Sequence, residues 1–194
     1  MRRAIVSWLL LAAALFAQAL TQQDRDYVLS QLHASHRVFL DALAGLTEAQ
    51  WKFKPAPDRW SIAECAEHVA LSEDFMFERI QKLLKTPAAP EKKSEVTNDE
   101  IMKGWLDRGQ KAQAGAATSP TGRFAAPAKL AAYFNLRRER TLEYVRTTQD
   151  ALRAHFDSGA AGLDAYQWLL AIAGHTERHV LQINEVKADP RYPR

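Results

Sequence analysis

Two histidines one helical turn apart have the clearest chemical potential in this sequence. His175 and His179 stand in a stretch whose apolar residues recur with helical spacing. At about 100° per residue, both imidazoles fall within the apolar stripe, which should face the protein interior. The apolar members of that stripe are Trp168, Ile172, Ile183 and Val186. Two inward-facing imidazoles can bind one metal ion. The alternative is a pair of core histidines satisfied by hydrogen bonds, and the i,i+4 spacing favours the metal.

A third histidine, His68, belongs to an earlier predicted helix, which begins at the capping box Ser61-Ile-Ala-Glu64. It lies about 80° from the centre of the apolar stripe of that helix. The side chain therefore either meets solvent or enters a cleft between helices. The helix alone does not decide between these two orientations.

Two carboxylates adjoin these histidines in the sequence and are candidates for a general base. Glu67 precedes His68, and Glu177 stands between the other two histidines. Glu177 falls about 160–200° from the histidine stripe and is expected to face solvent, which argues against a catalytic role. Glu67 is the remaining candidate catalytic residue, although a charge on a helix surface needs no function.

The spacing of apolar residues predicts four long amphipathic helices that would position these side chains. They cover Gln22 to Ala44, a helix that starts at Ser61, a helix that starts near Pro127, and a helix with Asp164 as N-cap that stops before Pro190. Residues 85–127 are predicted to form a long crossover that carries one short helix between Asn98 and Gln113. Strand-like alternation is absent from the sequence, so the predicted fold is all-α, a four-helix bundle.

Other polar residues are predicted to have structural roles. Arg137, Arg138 and Arg140 alternate with glutamates, which predicts a solvated helix face with local ion pairs. His36 borders an apolar stripe and is expected to pack between helices. His155 comes at a helix end, where a positive charge suits the helix dipole, and is not expected to be a ligand.

Residues 1–19 have the organisation of a bacterial signal peptide. Two arginines precede an apolar run from Ile5 to Phe16, which is followed by the small-x-small triplet Ala17-Gln18-Ala19. The run is short for a membrane span, and no second apolar run follows it. We therefore expect this segment to be cleaved. Residues 20–194 are expected to form one exported domain, periplasmic or secreted, that is not attached to the membrane.

Composition and charge restrict the classes of function. The 194 residues are 47% hydrophobic and 25% charged, as expected for a globular domain with a substantial core. Loss of the two N-terminal arginines lowers the formal net charge from +3 to +1. No basic cluster with interleaved aromatic residues remains, which argues against a nucleic-acid partner. Cys65 is the single cysteine, so an internal disulfide is excluded and the thiol is expected to pack in the core.

Four short motifs connect the chain to a known family. They are Arg59-Trp-Ser-Ile-Ala-Glu64, Glu67-His68-Val69, Leu163-Asp-Ala-Tyr-Gln-Trp168 and His175-Thr-Glu-Arg-His179-Val-Leu-Gln-Ile183. With these motifs the chain resembles the DinB/YfiT-like superfamily, in particular its DinB-like metalloenzyme branch, over about Asp24 to Pro193. The resemblance implies an up-down four-helix bundle. It also implies one divalent metal ion held by His68, His175 and His179.

The resemblance further implies one of two chemistries, metal-dependent hydrolysis or thiol S-transfer. Three neutral imidazoles leave a fourth coordination position for water or substrate, as in catalytic sites. An exported enzyme would meet few low-molecular-weight thiols, so we place hydrolysis of a small-molecule substrate first and S-transfer as the alternative. A non-enzymatic bundle that binds a metal or a small molecule is a third possibility. Imidazole ligands suit zinc, nickel, copper and iron alike, and a homodimer is compatible with the sequence.

Overall fold

The computed structural model describes residues 19–109, 113–159 and 162–194. Within these ranges it contains six α-helices and no strand beyond one isolated bridge. The helices are α1 (Gln22–Leu43), α2 (Glu48–Lys52), α3 (Ile62–Leu83), α4 (Asn98–Leu106), α5 (Pro127–Thr147) and α6 (Ala165–Lys187). None of these helices has an apolar stretch long enough to cross a bilayer. The predicted signal peptide lies outside the described residues apart from its last residue.

The long helices begin where the sequence predicts them, because α1, α3 and α6 have capping side chains at their N-termini and α5 begins with a proline. Ser61 Oγ accepts a hydrogen bond from Glu64 N at 3.2 Å, and the Glu64 carboxylate accepts one from Ser61 N at 2.7 Å. Asp164 and Gln167 form the same reciprocal pair at the start of α6. Pro127 is the first residue of α5, where its missing N–H costs no hydrogen bond.

Helices α1 and α6 run parallel along the bundle. Tyr166 at the start of α6 donates a hydrogen bond to the Asp24 carbonyl at 3.0 Å, near the start of α1. At the other end, the Lys187 ammonium donates to the Ala42 carbonyl at 2.6 Å. This second contact also satisfies a carbonyl at the C-terminus of α1, which has no partner within its own helix.

Helix α3 runs antiparallel to α6 and parallel to α5. The guanidinium of Arg79, near the end of α3, lies 4.3 Å from the ring centroid of Trp168, near the start of α6. Phe77 packs edge-on against Tyr144, and both side chains lie in the last two turns of α3 and α5. Ile62 and Leu130, from the first turns of these two helices, share one core cluster.

The observed chain direction corrects one part of the predicted fold. In an up-down bundle each long helix runs opposite to the one before it, but α3 and α5 are parallel. The physical reason is the long connection over residues 84–126. A helix of about 22 residues is ~33 Å long, and ten extended residues span that distance. The connection is therefore long enough to return to the starting end. The predicted long crossover with a short helix, α4, is confirmed.

Two apolar clusters fill the opposite ends of the bundle. One joins the N-terminal halves of α1 and α6 to the C-terminal halves of α3 and α5, and the other joins the opposite halves. Cys65 is fully buried in the second cluster, as predicted. Burial raises the pKa of its thiol to about 12, so the thiol stays protonated and packs as an apolar group. A buried polar layer separates the clusters, and its members include Ser35, Glu73, Arg138 and Thr176.

Arg138 lies at the centre of this polar layer, so its predicted place on a solvated face is wrong. Its guanidinium donates to Glu73 Oε2 at 2.8 Å and to Thr176 Oγ1 at 3.0 Å. It also donates to the Leu32 carbonyl at 2.7 Å and to Ser35 Oγ at 2.8 Å. Arg138 follows a core phenylalanine by one helical turn, which places it on the buried face of α5. A fully satisfied buried ion pair results.

Candidate metal centre

Helices α3 and α6 bring the three predicted histidines together. One ring nitrogen from each of His68, His175 and His179 lies within 4.8 Å of the others, and all three side chains are buried. The Nε2 atoms of His68 and His175 are 3.0 Å apart. The ring centroids of the three pairs are separated by 4.5–4.9 Å. The orientation of His68 that its own helix left open is thus resolved, because this side chain faces α6.

Local helix geometry explains why these three side chains meet. His175 and His179 are one turn apart, so their side chains lie side by side on one face of α6. His68 sits on the flank of α3, and the antiparallel α6 passes that flank. The packing of α3 against α6 thus brings together two histidines that are 107 positions apart in the sequence.

Hydrogen bonds at Nδ1 fix the tautomers of two of the rings. His68 Nδ1 lies 2.8 Å from the Thr118 carbonyl oxygen, and His179 Nδ1 lies 3.0 Å from Gln182 Oε1. Both oxygens can only accept, so each Nδ1 carries the proton and each Nε2 keeps its lone pair. The orientation of the Gln182 amide is supported by Arg108, whose Nη1 donates to the same oxygen at 3.3 Å.

Burial keeps all three imidazoles neutral at physiological pH. Desolvation lowers the pKa of His68, lowers that of His179 to about 3, and lowers that of His175 well below its usual value. The positive charge of Arg178 lowers the pKa values of His175 and His179 further. Neutral imidazole is the form that binds metal ions, so protons compete little for these nitrogens.

Two tryptophans enclose the triad. The Trp60 ring lies 5.0 Å from the His68 ring and stacks on His179 at 6.2 Å. Trp105 of α4 meets His175 edge-on at 5.4 Å. Its close approach depends on Gly174, because a Cβ at that position would lie 2.8 Å from Trp105 Cβ. The glycine therefore lets α4 cover this side of the triad.

Glu67, the predicted catalytic residue, is buried beside His68 but faces the loop that precedes α5. Its two carboxylate oxygens accept hydrogen bonds from Thr121, Gly122 and Arg123. With both oxygens engaged in this way, the general-base role stays a prediction that this geometry does not favour.

The remaining predicted polar residues lie outside the triad. Glu177 is half-buried rather than fully exposed, and desolvation raises the pKa of its carboxyl. His36 packs on the Phe134 ring and lies 2.6 Å from Asn135 Oδ1, as expected for a packing residue between α1 and α5. His155 is not part of the triad.

The donor set fits a divalent cation. The cluster consists of three neutral imidazoles, which suit transition-metal ions such as zinc or nickel. Mg²⁺ prefers carboxylate and other oxygen ligands, and the cluster contains no carboxylate. Within the described part of the chain, the partners at Nδ1 of His68 and His179 are a backbone carbonyl and an amide oxygen. Such contacts are the usual means of orienting metal-binding imidazoles.

Three residues that shape this site are absent from the set of site residues that the sequence predicts. Gln182 stands three residues after His179, so helical spacing alone could have identified it as a partner. Trp105 and Thr118 lie in the long crossover, where no periodic signal indicates which residues contact α3 or α6. Their roles required the three-dimensional structure.

Comparisons with known proteins show a similar fold and a family. YfiT from Bacillus subtilis, described as a probable metal-dependent hydrolase with an unusual four-helix bundle topology, has a similar fold. The TM-score is 0.56 at 16% sequence identity, over 87% of this chain and 89% of YfiT. No curated protein matches the sequence. The family model of the DinB superfamily matches residues 31–183. The chain therefore belongs to the DinB superfamily.

Proposed function

We propose that this protein is a metal-dependent hydrolase in which His68, His175 and His179 hold one divalent cation. The observation that supports this most strongly is the convergence of three neutral imidazole nitrogens in a buried cluster. A three-histidine site leaves a coordination position open, which is typical of catalytic rather than structural zinc sites. When bound, such an ion acts as a Lewis acid and lowers the pKa of water towards ~7, which supplies a nucleophile at neutral pH.

The surrounding residues have defined roles in this proposal. Thr118 and Gln182 hold the Nδ1 protons of two of these histidines, so the opposite nitrogens keep their lone pairs available for a metal ion. Trp60 and Trp105 line the triad with apolar surface. Apolar walls strengthen electrostatic interactions by excluding water. They also favour a small organic substrate over an extended polar one.

Hydrolysis is the first choice of reaction for two reasons. YfiT, which shares the fold, is described as a probable metal-dependent hydrolase. We also propose that the protein is exported, and low-molecular-weight thiols are scarcer outside the cytoplasm. Mass spectrometry of the protein recovered from the periplasm or medium tests export. The proposal expects a chain that starts at Leu20, and an uncleaved chain in the cytosol would contradict it.

The hydrolase proposal is tested with His175→Ala, using His33→Ala as the matched control because His33 is exposed and distant in sequence. Both proteins are assayed, after loading with zinc or nickel, against a panel of esters, amides and lactones. We expect turnover in the wild type and in His33→Ala, and its loss in His175→Ala with an unchanged circular dichroism spectrum. If His175→Ala retained hydrolysis, this result would contradict the hydrolase proposal. Turnover that depends on an added thiol would support S-transfer instead.

A further inference from the structure

A loop segment over residues 115–123, here called the strap, lies against α3 beside the triad. It contains the 3-10 turn Ala116–Thr118 and a following turn in which Gly122 has a φ of +80°. A positive φ of this size favours glycine. The strap is attached to α3 at two consecutive residues, Glu67 and His68.

The Glu67 carboxylate forms the first attachment. Its Oε1 accepts hydrogen bonds from Thr121 N at 2.9 Å and Thr121 Oγ1 at 3.1 Å. Its Oε2 accepts from Gly122 N at 2.9 Å and Arg123 N at 3.1 Å. Three successive backbone N–H groups therefore converge on one carboxylate, as in the backbone concavities that bind anions. Because Glu67 is only 2% exposed, water competes little for these hydrogen bonds.

The His68 ring forms the second attachment. Its Nδ1 donates to the Thr118 carbonyl at 2.8 Å, and its Nε2 lies 3.0 Å from His175 Nε2. A neutral imidazole without that acceptor populates both tautomers, and its ring samples a broad range of χ2. The position of the Thr118 carbonyl thus determines which His68 nitrogen faces the triad.

We propose that Glu67 is a positioning residue that acts on His68 through the strap. It anchors residues 121–123, which holds the Thr118 carbonyl against His68 Nδ1 and directs the Nε2 lone pair at the triad. The inference rests on the proposed function in that His68 is a proposed metal ligand. It differs from a general-base role, because a carboxylate that accepts four hydrogen bonds from the strap acts by geometry rather than by proton transfer.

The first test is Glu67→Gln, with Glu64→Gln as the matched control. The glutamine amide nitrogen cannot accept from the strap N–H groups, so one side of the anchor is lost. Glutamine at position 64 retains the capping box at the start of α3. In Glu67→Gln we expect ¹⁵N NMR of the metal-free protein to show both His68 tautomers instead of the Nδ1–H form. We also expect zinc affinity to fall about 10–100-fold. Glu64→Gln should match the wild type in both measurements.

The second test, Gly122→Ala, loosens the strap and leaves Glu67 intact. Alanine is disfavoured at a φ of +80°, and no neighbouring atom lies within 4 Å of the added Cβ, so the effect is confined to the turn. If Glu67 acts through the strap, this variant should show the same mixed tautomers and weakened zinc binding. Wild-type behaviour in Gly122→Ala together with changes in Glu67→Gln would overturn the inference, since a base or charge effect would then be at work. Wild-type behaviour in both variants would overturn it as well.

The two readouts also separate this inference from the proposed function. If the wild-type protein binds neither zinc nor nickel, the hydrolase proposal fails. The His68 tautomer in the metal-free variants still decides whether Glu67 positions the ring.

Discussion

Each histidine of the triad owes its chemical state to its immediate surroundings. A carbonyl holds the Nδ1 proton of His68, an amide oxygen holds that of His179, and burial disfavours the charged form of all three rings. An isolated histidine titrates near pH 6.5 and would be partly charged in mildly acidic conditions. Because burial lowers all three pKa values, the neutral form of these rings, which is the form that binds metal ions, persists to lower pH than in an isolated histidine.

The metal-free protein should therefore lose stability as the pH falls below about 6.5. The folded pKa values are lowered, that of His179 to about 3. The unfolded chain thus binds protons first, and the stabilisation present above pH 6.5 is lost as the pH falls towards the folded values. The expected slope is up to ~1.4 kcal/mol per pH unit for each histidine. Urea unfolding at pH 7.5 and 5 measures it.

The control for this pH dependence is His179→Gln, which should show a shallower slope than the wild type. His33→Ala should keep the wild-type slope, because His33 is exposed. A free energy of unfolding that is constant or rises between pH 7.5 and 5 in the wild type would contradict the account.

At the level of helices, α6 is the element on which the site depends, because it contacts α1, α3 and α4. Its contact with α4 includes a close approach at Gly174, where the absence of a side chain leaves room for Trp105. Its contact with the bundle interior runs through Thr176, which accepts from Arg138 in the polar layer. One face of α6 thus serves the triad and an adjacent face serves the polar layer.

Gly174→Ala should separate α4 from α6. The added methyl group would lie 2.8 Å from Trp105 Cβ, and overpacking of this kind costs about 1–3 kcal/mol. Gly104→Ala is the matched control, since no atom lies within 4 Å of its Cβ, and alanine favours a helix interior by up to ~1 kcal/mol. Urea unfolding and tryptophan fluorescence measure both. Equal changes in the free energy of unfolding for the two substitutions would show that the close approach of α4 to α6 at Gly174 does not affect stability.

Arg138→Met should be strongly destabilising, by about 3–5 kcal/mol, because it leaves the buried Glu73 carboxylate without its countercharge. The matched control is Arg137→Met. Arg137 pairs with Asp74 in a partly exposed ion pair, and such pairs contribute about 0–1 kcal/mol. The free energy of unfolding from urea titration distinguishes the two. If both variants lost a similar free energy of unfolding, the buried Arg138–Glu73 ion pair would contribute no more to stability than the partly exposed pair.

The sequence predicts the helices better than their arrangement, and the physical reasons are local. Ser61 and Asp164 predict the N-termini of two helices, because a capping box depends on residues only three positions apart. Arg138 illustrates the opposite case. Its charge predicts exposure, although its spacing from Phe134 places it on the buried face of α5. The Glu73 carboxylate that compensates this charge comes from another helix, and no local pattern predicts that pairing. The parallel course of α3 and α5 is likewise hidden, because it depends on how a long connection folds back.

The site residues also differ in whether nearby sequence predicts them. The pair His175 and His179 is predictable from helical spacing, and the resemblance to the DinB family adds His68. Thr118 is not predictable, because a backbone carbonyl in a loop carries no signature in the residue type. The position of Glu67 next to His68 makes it a candidate from the sequence, but Thr121, the first strap residue that it contacts, is 54 positions away.

For the molecule as a whole, the arrangement of the chain explains why a buried polar centre is tolerated. The two apolar clusters at the ends of the bundle supply the core, and the described polar side chains between them satisfy one another. The three histidines lie where α3 and α6 pack against each other. A bound cation should accordingly stabilise the folded chain by mass action, since the unfolded chain has no such site.

The metal content of the purified protein tests the central claim most directly. Elemental analysis after loading with zinc or nickel should find about one ion per chain, as expected for a three-histidine site. The same analysis should find the ion in His33→Ala and not in His68→Ala or His175→Ala. A wild-type protein without metal, or variants of the triad that retain it in full, would contradict the account.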